Sequence, residues 1–497
     1  MLSLLSPRRL GAMFLVLFVS MQVVAEQPNL VLIIADDMNW EDNGAYGHPS
    51  IHTPNIDRLA EEGMRFDRAY LTINSCSPSR SSIITSRYPH NTGAEQLHWA
   101  LPPDTKTWVE RLQDAGYYTA AAGKWHMGDR IRDHFDTIKE ADGAGFMLPT
   151  PGAGGEPAKM VASSPSGCED WLPVLEGRPR DQPFFLWLAA LDPHREYEEG
   201  SFEPAHTIDD VIVPVHLPDT PGVRNDLRLY YDEIGRLDRY VGKVMTELEA
   251  QGVADNTLVL FITDNGRPFP GYKTTTYEGG IKTPWIVRWP AKVKAGQTTP
   301  SLISSVDIGP SFLAAAGLHT PDQMVGVSMM PVLQDPSVVI RDYAFAEDDW
   351  HDYTDHGRAV MDGDWKLIRN DYDDLPNTPS ADAGRSPSWV ALTALNKQGK
   401  LTPAQLRCIV APRSRWELYD LKNDPDEINN LASSAAHAKT LHRMQRALAD
   451  WAKRTADYIP TVRTPDEFDR ITGEPDHSVR RRPRPDKKDM FGTYGKY

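Results

Sequence analysis

Four short apolar runs punctuate this chain, and each ends abruptly in polar or charged residues. Residues 29–35 (NLVLIIA) are followed by Asp36-Asp37. Residues 117–122 lead into Gly123-Lys124-Trp125-His126, and residues 184–191 (FFLWLAAL) into Asp192-Pro193-His194. Residues 257–263 (TLVLFIT) lead into Asp264-Asn265-Gly266. Unbroken apolar runs of this length predict strands covered on both faces, as in a parallel sheet between helices. Helical spacing appears between them. Pro54 opens a helix-like stretch over 55–62 that Gly63 closes, 107–115 is stopped by Gly116, and 224–251 by Gly252. Alternating strands and helices predict an α/β fold with a mostly parallel central sheet and helices on both faces. In such sheets the site lies beyond the carboxyl ends of the strands. One acidic pair after one strand is ordinary; four polar endings together point to a shared site.

The character changes after about residue 333. Residues 358–368 alternate weakly around the turn Asp362-Gly363-Asp364, and 416–421 resemble another short strand. A smaller C-terminal antiparallel sheet with a helix near 435–452 is predicted. The Gly-, Pro- and Ser-rich stretch 142–179 predicts a long surface excursion. The resulting division is a leader over 1–25, a catalytic domain over 26–335, an α+β subdomain over 336–463 and a charged, Pro-rich tail over 464–497. A loosely ordered tail is the better expectation for 464–497 than a polyanion-binding one, despite the basic run 480–484.

Arg8 and Arg9 precede an apolar run over 10–24, with small residues before Glu26. This reads as a secretory signal cut after Ala25, hence export to a periplasm or the exterior. The run is short for a membrane anchor, and no cysteine follows it to carry a lipid. No other stretch is apolar enough to span a bilayer. The formal charge is −16, and loss of the leader would make it more negative by two. An acidic chain has no general attraction for polyanions, which argues against nucleic acid. An anionic substrate would need a local cationic pocket. Of the three cysteines, Cys168 and Cys408 are permitted to pair in an exported protein, but spacing does not decide it.

The candidate chemistry centres on Ser75-Cys76-Ser77-Pro78-Ser79-Arg80, between a β-like run and a helix-like run over 81–86. A cysteine at a helix start is favourably placed for negative charge, although most lone cysteines are small buried hydrophobes. Asp36, Asp37, Asp264 and Asn265 offer only oxygen, a set suited to Ca²⁺ or Mg²⁺ rather than zinc. Singly, these pairs are equally well explained as caps or turns. Lys124 and His126 alternate in an extended segment and are expected to point the same way. His194 and Lys273 are further candidates, although a solvated surface lysine is the better expectation for Lys273 alone.

The pattern Cys-x-Pro-x-Arg resembles the signature of type I sulfatases, of the alkaline-phosphatase-like superfamily. In that family a dedicated maturing enzyme oxidises the cysteine to formylglycine (3-oxoalanine). Residues 29–37, 76–80, 123–126, 264–266 and 273–280 (KTTTYEGG) are similar to successive blocks of the family. The resemblance implies that Asp36, Asp37, modified Cys76, Asp264 and Asn265 hold calcium, in preference to magnesium. It implies that Arg80, Lys124, His126, His194 and Lys273 line the sulfate pocket. The implied reaction is sulfate transfer to hydrated formylglycine, then elimination of sulfate assisted by a base matching His126. A closer likeness, to the heparan N-sulfatase (sulfamidase) branch, rests on 75–80, 183–195, 264–270 and 415–420. The 273–280 block departs from that branch and resembles O-sulfatases. The expected substrate is therefore an O-sulfated carbohydrate such as the algal polysaccharide ulvan, with N-sulfoglucosamine as the alternative. Arg195, His98 and His351 are candidate glycan contacts, with an ordinary structural role the better expectation for each. Phosphatase or phosphonate hydrolase chemistry on a related fold is disfavoured by the cysteine. An inactive glycan-binding protein is disfavoured by the intact set of polar residues.

Overall fold

The computed structural model describes residues 27–141 and 165–476. The expected leader, most of the 142–179 excursion and the basic run 480–484 lie outside the described residues. Among the described residues twelve strands run in chain order: β1 (Asn29–Ala35), β2 (Met64–Tyr70), β3 (Tyr118–Gly123), β4 (Thr137–Glu140), β5 (Phe184–Ala189), β6 (Thr257–Thr263), β7 (Ile286–Arg288), β8 (Gln297–Ser304), β9 (Ala344–Asp348), β10 (Gly357–Met361), β11 (Trp365–Asn370) and β12 (Trp416–Asp420). The helices are α1 (Pro54–Glu61), α2 (Cys76–Thr85), α3 (Trp108–Asp114), α4 (Trp171–Gly177), α5 (Pro221–Ala250), α6 (Glu278–Ile281), α7 (Ile308–Ala315), α8 (Met330–Gln334), α9 (Pro387–Lys397) and α10 (Ala438–Thr455).

The large sheet has the order β4-β3-β5-β1-β6-β7-β2-β8. The four apolar runs singled out in the sequence are its contiguous middle, β3-β5-β1-β6, and every pairing among them is parallel. Only β7 runs against its neighbours, β6 and β2. The side chains of β1 divide between two cores. Leu30, Leu32 and Ile34 face one, with Trp108, Leu112 and Phe312 from α3 and α7. Val31, Ile33 and Ala35 face the other, with Leu227, Tyr230, Ile234 and Val241 of α5. Burial on both faces is why the run contains no polar alternation. Each fully buried Leu or Ile stabilises the fold by about 1.5–3 kcal/mol.

The second sheet, β12-β11-β10-β9, is antiparallel throughout. One face packs on α10 through Met444, Leu448 and Trp451. The other meets Tyr70, Tyr277, Ile281 and Leu302 of the first unit. Glu347 of β9 donates its backbone N–H to Thr72 O at 2.8 Å, which ties the two sheets together beside α2.

Three expectations change: the extent of the helix after Cys76, the 142–179 excursion and the start of the tail. The helix expected over 81–86 begins at Cys76 and is buried along its whole length, and its small serines allow that close packing. The excursion contains α4, because Trp171 and Leu175 are fully buried and outweigh the surrounding turn residues. Residues 464–476 pack back on the body: Phe468 lies in a small cluster with Tyr353, and Arg470 donates to Thr354 O at 2.7 Å. Cys168 and Cys408 are free buried thiols. Among the described residues, no helix is long and apolar enough to cross a membrane.

Candidate active site

Because β3, β5, β1 and β6 are adjacent and parallel, the segments after them emerge at one edge. Backbone hydrogen bonds extend the ladder beyond the strands and fix those segments. Asp36 N–H donates to Asp192 O at 2.9 Å, Lys124 N–H to Ala189 O at 2.9 Å and Asp264 N–H to Ala35 O at 3.1 Å. At Gly123 (φ 94°) an added Cβ would lie 1.8 Å from Ala189 O, so only glycine allows this turn. Lys124 and His126 therefore do not share one extended segment as expected. Gly123 and His126 (φ 57°) are both left-handed, so 124–126 is not regular strand. Eight non-glycine residues have positive φ among the described residues, and four of them, Asp37, His98, His126 and Thr274, belong to this region. Such strain concentrates where a fold must aim particular side chains.

The anticipated residues meet. Asp37 Oδ1 accepts from Asn265 Nδ2 at 2.5 Å and lies 3.8 Å from Cys76 Sγ. Asp37 Oδ2 accepts from Lys273 Nζ at 2.7 Å, with His194 Nε2 at 3.6 Å. Asp36 pairs with Lys124 Nζ, and Arg80 Nη2 lies 3.8 Å from its other oxygen. Arg80 Nε and Nη2 reach Asp264 Oδ2 at 2.9 and 2.8 Å, and Nη1 donates to Lys124 O at 3.1 Å. His126 Nε2 is hydrogen-bonded to His98 Nδ1 at 2.7 Å. Lys273 is 1% exposed, against the expectation of a solvated lysine, because its loop folds under the C-terminal segment. Arg195 is not a sugar contact: it is buried in a two-pronged ion pair with Asp226, at 2.6 and 2.8 Å. His351 is buried and bonded to Asp352 at 2.9 Å.

One member was not anticipated. Asp382 Oδ2 stands 3.6 Å from both Lys273 Nζ and His194 Nε2. It precedes a short turn in the C-terminal segment and has no periodicity or motif to mark it.

Electrostatics follow from burial of like charges. Burial and the neighbouring Asp264 push the Asp36 carboxyl well above its usual range. Burial acts the same way on Asp264, but Arg80 and Lys124 outweigh it and hold that carboxyl low. Burial raises the Cys76 thiol well above its ordinary value, so the unmodified side chain is a poor nucleophile. Burial, with His98, Lys124 and Arg80 around it, keeps His126 well below the ordinary imidazole value. His194 is lowered to about 4 by burial and then Lys273.

The same cluster fits a hard cation. Asp36 Oδ1 and Asn265 Oδ1 are buried and accept no hydrogen bond. Ligand atoms of Asp36, Cys76 and Asp264 lie within 4.8 Å of one another. Unpartnered buried oxygens are costly, and a divalent ion would satisfy them. Asp36, Asp37 and Asp264 face Arg80, Lys124 and Lys273, so the added ion would make the cluster net cationic and suited to an anionic group.

Comparison with known proteins agrees with this geometry. The sulfatase family model matches residues 28–318, and the model for the C-terminal region of N-sulphoglucosamine sulphohydrolase matches residues 272–382. Human N-sulphoglucosamine sulphohydrolase is 30% identical over 484 residues, covering 89% of this chain and 93% of its own. An ulvan-active sulfatase of Formosa agariphila is 28% identical over 492 residues, covering 87% and 76%. A solved structure in complex with its substrate D-glucosamine-2-N,6-O-disulfate has the same fold. Its TM-score is 0.68 at 21% identity, covering 88% of this chain and 99% of that one.

Proposed function

As the chain belongs to the sulfatase family and is a hydrolase of sulfate esters acting on sulfated carbohydrate, we propose that its substrate is an O-sulfated glycan of the ulvan kind. The observation that carries this reading is the buried position of Lys273 against Asp37, 2.7 Å away. Lys273, the first residue of the O-sulfatase-like block 273–280, is thereby beside Asp37 instead of on a remote surface. N-Sulfoglucosamine is the second reading. It is favoured by the match of residues 272–382 to the N-sulphoglucosamine sulphohydrolase C-terminal model.

Asp36, Asp37, Cys76, Asp264 and Asn265 are the proposed holders of calcium. The ion would neutralise charge on the sulfuryl oxygens and acidify a hydroxyl. Cys76, converted to formylglycine by a maturing enzyme in the host, would supply that hydroxyl. Arg80, Lys124 and Lys273 bind the sulfuryl group and exclude water from it. His126, neutral near pH 7, accepts a proton, while His194 lies at the leaving-group side beside Lys273. Export, inferred from the leader, places the enzyme where polymeric substrates are met.

The test is sulfate release from N-sulfated glucosamine and from ulvan oligosaccharides, side by side at one enzyme concentration. Faster release from the ulvan fragments is expected, by at least about tenfold, a difference of roughly 1.4 kcal/mol in transition-state binding. Preferential cleavage of the N–S bond would replace this reading with the second one.

A further inference from the structure

His98, a candidate glycan contact in the sequence, meets the site through His126 and has no part in the sulfate or cation chemistry described above. It stands in the loop between α2 and α3, and its backbone is left-handed at φ 66°. Its N–H donates to Ser77 Oγ at 2.8 Å, so it is tied to the first turn of α2, one residue from Cys76. The preceding Leu97 N–H donates to Trp350 O at 3.2 Å, just after β9. The loop is thus pinned to both units of the fold. From that strained and doubly anchored position, the imidazole meets His126. The rings are 4.8 Å apart, inclined at 45°, with Nδ1 and Nε2 separated by 2.7 Å.

We propose that His98 is a positioning residue that fixes the orientation and tautomer of His126; this rests on the sulfatase reading above. An N–H···N bond needs one protonated nitrogen and one lone pair. The contact admits two complementary arrangements, and His126 can accept a proton at Nδ1 only in the one where its Nε2–H donates to His98 Nδ1; that is the arrangement proposed. Burial, with the positive charges of Lys124 and Arg80 close by, disfavours a second proton on His126. Left-handed backbone at a non-glycine residue is disfavoured by roughly 1–2 kcal/mol. Its retention at both His98 and His126 fits a requirement for aim.

The variants follow from the backbone. His98→Gly removes the ring and suits a positive φ, so folding is preserved. His98→Asn also tolerates this conformation and keeps a polar group near the Nδ1 position. With the maturing enzyme co-expressed, His98→Gly is expected to lower kcat by about 10–100-fold, as loss of a supporting hydrogen bond does elsewhere. KM should stay within about threefold, and His98→Asn should recover most of the loss. A second readout needs no turnover: ¹⁵N shifts of the His126 imidazole, identified by their absence in His126→Gln. The wild type should show one tautomer and His98→Gly a mixture. Unchanged His126 shifts in His98→Gly, a kcat within about twofold of wild type, or a change in KM alone would overturn the assignment. If the wild type released no sulfate from any sulfated sugar, the substrate reading would fail, while the nitrogen shifts would still decide this one.

Discussion

Sulfate release by a Cys76→Ala protein is expected to fall at least about a thousandfold, to the limit of detection, while the fold persists. Cys76 is 2% exposed at the first position of α2, and alanine is smaller and a better helix former. No packing element is lost except one sulfur, and neither Cys168 nor Cys408 is bonded to it. Circular dichroism and the denaturation midpoint should stay near wild type. The loss of turnover then reports chemistry at position 76. An alanine variant retaining full activity would show that another residue attacks sulfur.

The second large effect concerns the cation. Calcium added to the metal-free protein should raise stability by about 2.7 kcal/mol at a concentration 100-fold above Kd, because only the folded chain gathers the ligands. Asp37→Asn should abolish that stabilisation and reduce turnover to background. Asp37 contributes one oxygen beside Asn265 and Cys76 and the other beside Lys273 and His194. Removing its charge therefore takes away a cation ligand and leaves Lys273 with Asp382 as its remaining carboxylate contact. Thermal denaturation with and without calcium checks the first part and sulfate release the second. Equal calcium stabilisation of wild type and Asp37→Asn would place the cation elsewhere.

Much of this site was legible because its residues sit where patterns end. Asp36, Lys124, Asp192 and Asp264 each follow an apolar strand, and parallel topology brings such ends together. Other parts were not legible, for physical reasons. Short elements such as β7, three residues inside the large sheet, carry too few residues for a period. Left-handed backbone at Gly123 and His126 weakens the alternation argument for Lys124 and His126, because side-chain period two holds only for extended backbone. Arg195 reads as a surface arginine until α5 supplies Asp226. Asp382 and His98 lie in irregular segments, and their contacts to Lys273 and His126 come from long-range folding that no local pattern encodes. The burial of Lys273 likewise depends on a C-terminal segment more than 100 residues away.

The most direct measurement is the mass of the peptide spanning Cys76, taken from enzyme that releases sulfate and was made in a host with the maturing activity. An aldehyde at position 76 is expected. An unmodified thiol in fully active protein would contradict the account.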